Sequence, residues 1–296
     1  MKIALPTRLI LVLLSAFCIS ILASVSLANA MGAQEGETPI LLRADSPVAK
    51  CIGFHACAGI DPAIVGEGSC MGDNSCANAV GPIGDYSCIG NGACSATMSA
   101  ISSDACIGDQ ACASAAGLIG LGSCIGSSSC SSTVGQIGNH ACVGLLGCST
   151  AIGPIGSGSC IGNGACSSAV GPIGATSCIG GAACSSAIGT IGEGSCIGDL
   201  ACAGFGHLAH GPIGDNSCNG ANACASGSDA SLLAVGNNSC NGDASCASTI
   251  GPIGDNSCNG SFACFVVVGS IGNCKFNTIV PAVCMTWRTD LPVVRR

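Results

Sequence analysis

Twelve cysteine pairs recur along this chain with one internal spacing and a nearly constant distance between pairs. The first members are Cys51, Cys70, Cys88, Cys106, Cys124, Cys142, Cys160, Cys178, Cys196, Cys218, Cys240 and Cys258. The second members follow six residues later, at Cys57, Cys76, Cys94, Cys112, Cys130, Cys148, Cys166, Cys184, Cys202, Cys224, Cys246 and Cys264. The period is 18 residues, interrupted by one extra residue after Cys57 and by four extra residues around 205–210 and again around 228–233. Such a period means one small unit copied and stacked on itself, with insertions absorbed as loops.

Each unit divides into three sixes, as in IGSGSC (155–160), IGNGAC (161–166) and SSAVGP (167–172). An aliphatic start, a glycine next and a small fifth residue read as a short strand plus a turn, and three such segments close a coil. Helix is disfavoured by a glycine in nearly every six, by Pro82, Pro154, Pro172, Pro212 and Pro252, and by the lack of a 3.6-residue pattern. The fold class expected is all-β, a single β-solenoid of about twelve coils over 51–270, stacked about 4.8 Å apart into a rod roughly 58 Å long. Residues 31–50 are expected to form an N-terminal linker or cap, and 271–296 a C-terminal cap and tail. After Ala30 the only aromatics are Phe54, Tyr86, Phe205, Phe262, Phe265, Phe276 and Trp287, too few to fill an ordinary globular core. The interior must be narrow and built from small residues.

Residues 1–30 read as a signal peptide. Lys2 and Arg8 precede an apolar run that ends in Ala28-Asn29-Ala30, a small-x-small cleavage signal. Cleavage after Ala30 is expected, the alternative being an uncleaved anchor. Removal leaves 26 of the 27 cysteines, an even number, in a chain addressed to an oxidising, extracellular compartment. It also leaves six basic residues against 16 acidic ones, a net charge of −10, with no Lys or Arg between Cys51 and Cys264. Nucleic acid and anionic membrane are excluded as partners of the central region, because both need cations to neutralise phosphates.

The Ile-Gly-x-x-Ser/Ala pattern resembles the hexapeptide repeat of left-handed β-helices. The Cys-x5-Cys pair in every coil resembles the cysteine-stapled β-solenoid antifreeze proteins of insects. Both resemblances cover residues 51 to about 270 and imply an architecture. Hexapeptide coils, however, begin their third six with an aliphatic residue, where this chain has mostly Ser or Ala. The insect proteins use a 12-residue coil carrying Thr-Cys-Thr, where this chain has Ser-Cys-Ile or Ser-Cys-Asn.

The cysteines have two candidate phases, treated as mutually exclusive on a two-residue strand period. Either Ser159 and Ile161 point inward and Cys160 outward, or Cys160 and Cys166 turn inward and meet across a thin coil. The second is favoured, because a bridge within each coil explains the strict pairing by six. It leaves some isoleucines at corners or facing solvent. Cys274 and Cys284, off the register, are expected to form a thirteenth bridge in the C-terminal cap.

Little in the sequence carries chemistry. Cys-x5-Cys lacks the Cys-x2-Cys spacing of redox, structural zinc and haem motifs. The histidines His55, His140, His207 and His210 do not recur in register, and no nucleophile elbow or phosphate loop is present. No catalytic residue and no cofactor is expected. The acids form two columns: Glu67, Asp85, Glu193, Asp215 and Asp255 follow the glycine of the first six, and Asp73, Asp109, Asp199 and Asp243 that of the second. Gly-Asp and Gly-Asn fit turns, and Glu67 with Asp85 on adjacent coils is a weak calcium candidate. Asn237 and Asn259 head glycosylation sequons. The function expected is that of a secreted, non-catalytic structural protein that binds an extracellular surface, matrix or polysaccharide, with self-association open. The alternatives are ice binding, or a polysaccharide-binding module or enzyme with its site at the 203–212 and 228–233 insertions.

Overall fold

The computed structural model describes residues 49–204, 211–225 and 234–273, all within the unit Pro47–Arg296. The signal segment and residues 31–48, the insertion residues 205–210 and 226–233 with His207 and His210, and 274–296 with Cys274 and Cys284 lie outside the described residues.

Neighbouring repeats are joined by single-residue parallel bridges rather than by strands of several residues, and the bridges fall into three rows. One row runs from Val65 and Ile83 through Ile155 to Ile271, taking the first residue of each first six. A second runs from Ile52 and Met71 to Ile197, taking the residue after each first cysteine. The third joins Ala116, Val134, Ile152, Val170 and Ile188, then Ile250 and Val268, from within the third six. The step along a row is one repeat, and it stays in register across the insertions, where Ile191 pairs with Ile213 and Ile213 with Val235. Hydrogen bonds leave each repeat in both directions: Gly90 N–H donates to Met71 O at 2.7 Å, and Ile89 N–H to Cys106 O at 3.1 Å.

The bridges stay short because the chain turns sharply on either side of them. The first cysteine of every pair has a positive φ, 59° at Cys160, and the glycine two residues on is near +130 to +140°, as at Gly90 (φ 135°). Gly90 is also pressed against the next repeat, where a Cβ would lie 2.5 Å from the Gly108 carbonyl. Only glycine meets both the dihedral and the space. The one extra residue after Cys57 is taken up beside a 3-10 turn, Pro62–Ile64, the only helix among the described residues. Asp61 caps this turn by accepting from Ala63 N–H at 2.9 Å.

Ile155, Ser159, Cys160, Ala165, Cys166 and Ala169 are all buried, and the pattern repeats in the other units. The two phases of the cysteines are therefore not exclusive. Ser159 and Cys160 are adjacent and both 0 % exposed, because the left-handed Cys160 breaks the alternation that an extended strand imposes. The interior is shared between disulfides and one isoleucine row. The second row is mostly half-buried, and the third is the row with the most exposed aliphatics.

Candidate functional site

Twelve disulfides join the cysteines six apart, from Cys51–Cys57 to Cys258–Cys264. Most are fully buried. Cys51, Cys57 and Cys264, in the first and last described repeats, are partly exposed. Three groups of cysteine sulfurs, such as Cys148, Cys160 and Cys166, lie close enough to surround an ion. Every one of those sulfurs is already in an S–S bond, so none is a thiolate ligand.

Sequence reasoning missed a buried serine row, although its signal, a Ser before the first cysteine, was in plain view. Ser159 Oγ donates to Gly174 O of the next repeat at 2.6 Å and accepts from Ser177 N–H at 3.1 Å. Ser177 does the same toward Gly192 O and Ser195 N–H, at 2.7 and 3.3 Å. Ser195, Ser217 and Ser239 continue the row. Each hydroxyl fills a donor and an acceptor role between repeats, so its burial carries no unmet polar atom. Threonines do similar work from the third six: Thr97 and Thr133 are buried and donate to Cys112 O and Cys148 O at 2.8 and 2.7 Å, and Thr249 donates to Cys264 O.

The acidic columns are a ladder too. Asp85 Oδ1 accepts from Glu67 N–H at 2.8 Å, Asp215 from Glu193 N–H at 2.8 Å, and Asp255 from Asn237 N–H at 2.7 Å. In the second column Asp73, Asp109, Asp199 and Asp243 accept from Phe54, Asn91, Gly181 and Ala221 N–H groups, at 2.7–3.0 Å. Each of these aspartates thus caps a peptide N–H of the preceding repeat. Asn139 and Asn163 fill the same role with an amide oxygen. The calcium candidates Glu67 and Asp85 are on adjacent repeats, with one Asp85 oxygen engaged in this way.

Of the two sequon residues, Asn237 is exposed and its Oδ1 accepts from Asp215 N–H at 2.8 Å. Asn259 is held at both ends of its amide, accepting from Asn241 N–H at 3.1 Å and donating to Asn238 O at 2.9 Å. His55 is exposed and stacked on Phe54 with ring centroids 3.9 Å apart, and His140 is exposed eighty-five residues on, in a different column. Two buried hydroxyls, Ser75 Oγ and Ser129 Oγ, have no hydrogen-bond partner. Their counterpart Ser245 donates to Cys258 O at 2.7 Å. Among the described residues no helix is long and apolar enough to cross a membrane.

Residues 40–142, 122–209 and 206–291 each match one family model, described as Domain of unknown function (DUF7640). The chain belongs to the DUF7640 family. The three DUF7640 matches overlap at 122–142 and 206–209, as expected where an 18-residue repeat offers the model more than one frame. No curated protein and no solved structure matches the chain. What stands is a DUF7640 repeat protein whose polar side chains bond mainly to neighbouring repeats and whose cysteines close each one.

Proposed function

We propose that this chain is a secreted, non-catalytic structural protein, a disulfide-stapled β-solenoid that serves in an extracellular surface or matrix. The observation that carries the reading is the use of its reactive groups. Cysteines sit in disulfides, serines and threonines bond to carbonyls inside the stack, and carboxylates cap peptide N–H groups of the preceding repeat. A catalytic site needs polar groups converging on a space where a substrate fits; here they point from repeat to repeat. The oxidised cysteines support an oxidising compartment. The one-repeat steps of three bridge rows support the solenoid.

The ice-binding alternative has less support, because its threonines do not line up outward. Thr97, Thr133 and Thr249 are buried, and the exposed Thr150, Thr176 and Thr190 occupy three different positions of the repeat.

Fractionation of the source cells, with a non-reducing peptide map of the recovered chain, tests the proposal. The expected result is recovery outside the cell with every pair six apart bridged. Recovery from the cytosol with free thiols, or bridges between cysteines 18 apart, overturns it.

A further inference from the structure

The third six differs from the other two in what it shows to solvent. In its row the aliphatic side chains are turned outward: Val80 is 64 % exposed, Met98 67 %, Val134 50 %, Ile152 51 % and Val170 39 %. Parallel bridges from Ala116 through Ile188 hold this row in line, one residue per repeat. The flanking positions add no charge, since 78–82, 96–100, 114–118, 132–136, 150–154, 168–172 and 186–190 contain no Asp, Glu, Lys, Arg or His. Over the same repeats the acids, Glu67, Asp73, Asp85, Asp104 and Asp109, all lie in the first two sixes.

We propose that this charge-free aliphatic row is the surface on which a second copy of the same chain packs. The first argument is electrostatic. A chain with 16 acidic residues and almost no central cations repels its own copies, and carboxylates brought together across an interface cost free energy. Repeats 65–118 carry acids only in their first two sixes and repeats 119–190 carry none, so the third six is a continuous face along which two copies approach without bringing acids together. The second argument is periodic. Both copies carry the same row at the same one-repeat step, so side chains that fit once fit again at every repeat, and an isologous pair closes without leaving the row open. The third is area. Seven repeats at about 4.8 Å, each offering about four residues of some 3.3 Å, since the second of the five, such as Ala151 or Ala169, is buried, present roughly 450 Å² per copy, or about 900 Å² in the pair. That lies below the roughly 1,200 Å² of a standard stable interface, so the dimer is weak and reversible. The inference does not depend on the role proposed above, since it rests only on the exposed row and the distribution of charge.

Sedimentation velocity of the full, oxidised chain over a rising concentration series tests it. Wild type is expected to shift from monomer to dimer, and added salt, by screening the acids, is expected to lower the midpoint concentration. The triple variant Val134→Glu, Ile152→Glu, Val170→Glu is expected to stay monomeric. A control with the same added charge on the acidic ladders, Leu121→Asp, Ser127→Asp and Ser157→Asp, is expected to keep the transition. Should the triple variant fail to fold, wild type alone decides the matter through peroxide oxidation. Met98 is expected to oxidise at least tenfold more slowly at the dimeric concentration, with Met71, in a different row, unchanged. A wild type that stays monomeric throughout, a triple variant that dimerises like wild type, or a Met98 rate independent of concentration overturns the proposal.

Discussion

The two ends of the stack solve the same backbone problem with different side chains. In the earlier repeats the residue after the first cysteine is aliphatic, and its N–H reaches a main-chain carbonyl of the next repeat, as from Ile161 to Cys178 at 3.2 Å. From Cys218 onward that residue is Asn219, Asn241 or Asn259. The N–H groups of Ile197, Asn219 and Asn241 go instead to the side-chain oxygen of the following asparagine, at 3.0, 3.1 and 3.1 Å. Each asparagine also returns its Nδ2 to a carbonyl of the preceding repeat, Gly194, Asn216 or Asn238. The serine row, broken only at Ala105 and Ala141 among repeats 65–273, and the disulfides run through both regions. Register is therefore carried by the cysteine, serine and glycine columns. The position after the cysteine is free to be apolar or amide, provided the peptide N–H finds an acceptor.

The largest expected effect is the one common to both regions. Gly90→Val and Gly242→Val each force a β-branched residue to a φ near +135 or +139° and drive a Cβ to 2.5 Å from the next glycine's backbone. Backbone strain and overpacking together put the cost at roughly 2–6 kcal/mol. Denaturant midpoints that fall for one glycine and not the other would show that the two regions do not share a backbone frame.

Next comes removal of a staple. Replacing Cys160 and Cys166 together by Ala, or Cys240 and Cys246, is expected to cost about 2 kcal/mol each, the entropy of closing so short a loop. Native-state reduction followed by alkylation is expected to label Cys51, Cys57 and Cys264 before the buried pairs, because their sulfurs are the more accessible. Labelling that begins in the middle of the array would contradict the burial pattern.

Exchanging the side chains after the cysteines tests the difference between the regions. Ile161→Asn is expected to cost about 1–2 kcal/mol, since a lone asparagine has no asparagine above or below it to complete its bonds. Asn241→Ile is expected to cost a similar amount by stranding its neighbours. The triple change of Asn219, Asn241 and Asn259 to Ile is expected to cost less than the sum of the three singles, because partners are removed together. Strict additivity in that series would show that the ladder is not a coupled unit.

The smallest effects distinguish two serines at one repeat position. Ser245→Ala, which loses the bond to Cys258 O, is expected to cost about 1 kcal/mol, while Ser129→Ala, which removes a buried hydroxyl with no partner, is expected to gain about 1 kcal/mol. Equal shifts in the two melting temperatures would break the distinction.

The repeat, the pairing of cysteines by six and the small-residue interior were legible because they follow from counting. A period of 18 and twelve pairs admit few arrangements. The acid columns were legible as columns but not as ladders: Asp85 looks like a turn residue until the N–H of Glu67 is found 2.8 Å from its oxygen. The serine before most first cysteines was read through strand alternation, which placed Ser159 and Cys160 on opposite sides. Alternation holds only for an extended backbone, and a left-handed Cys160 is not a conformation that side-chain pattern announces.

By itself, then, the sequence determined the unit and its copy number and favoured cysteine partners six apart, since spacing limits which cysteines meet. Tertiary structure decided which way each side chain faces, and so which rows became core, ladder or exposed stripe. Facing depends on the sign of φ at single residues such as Cys160 and on what the next repeat places opposite them, and neither is written in any one repeat read alone.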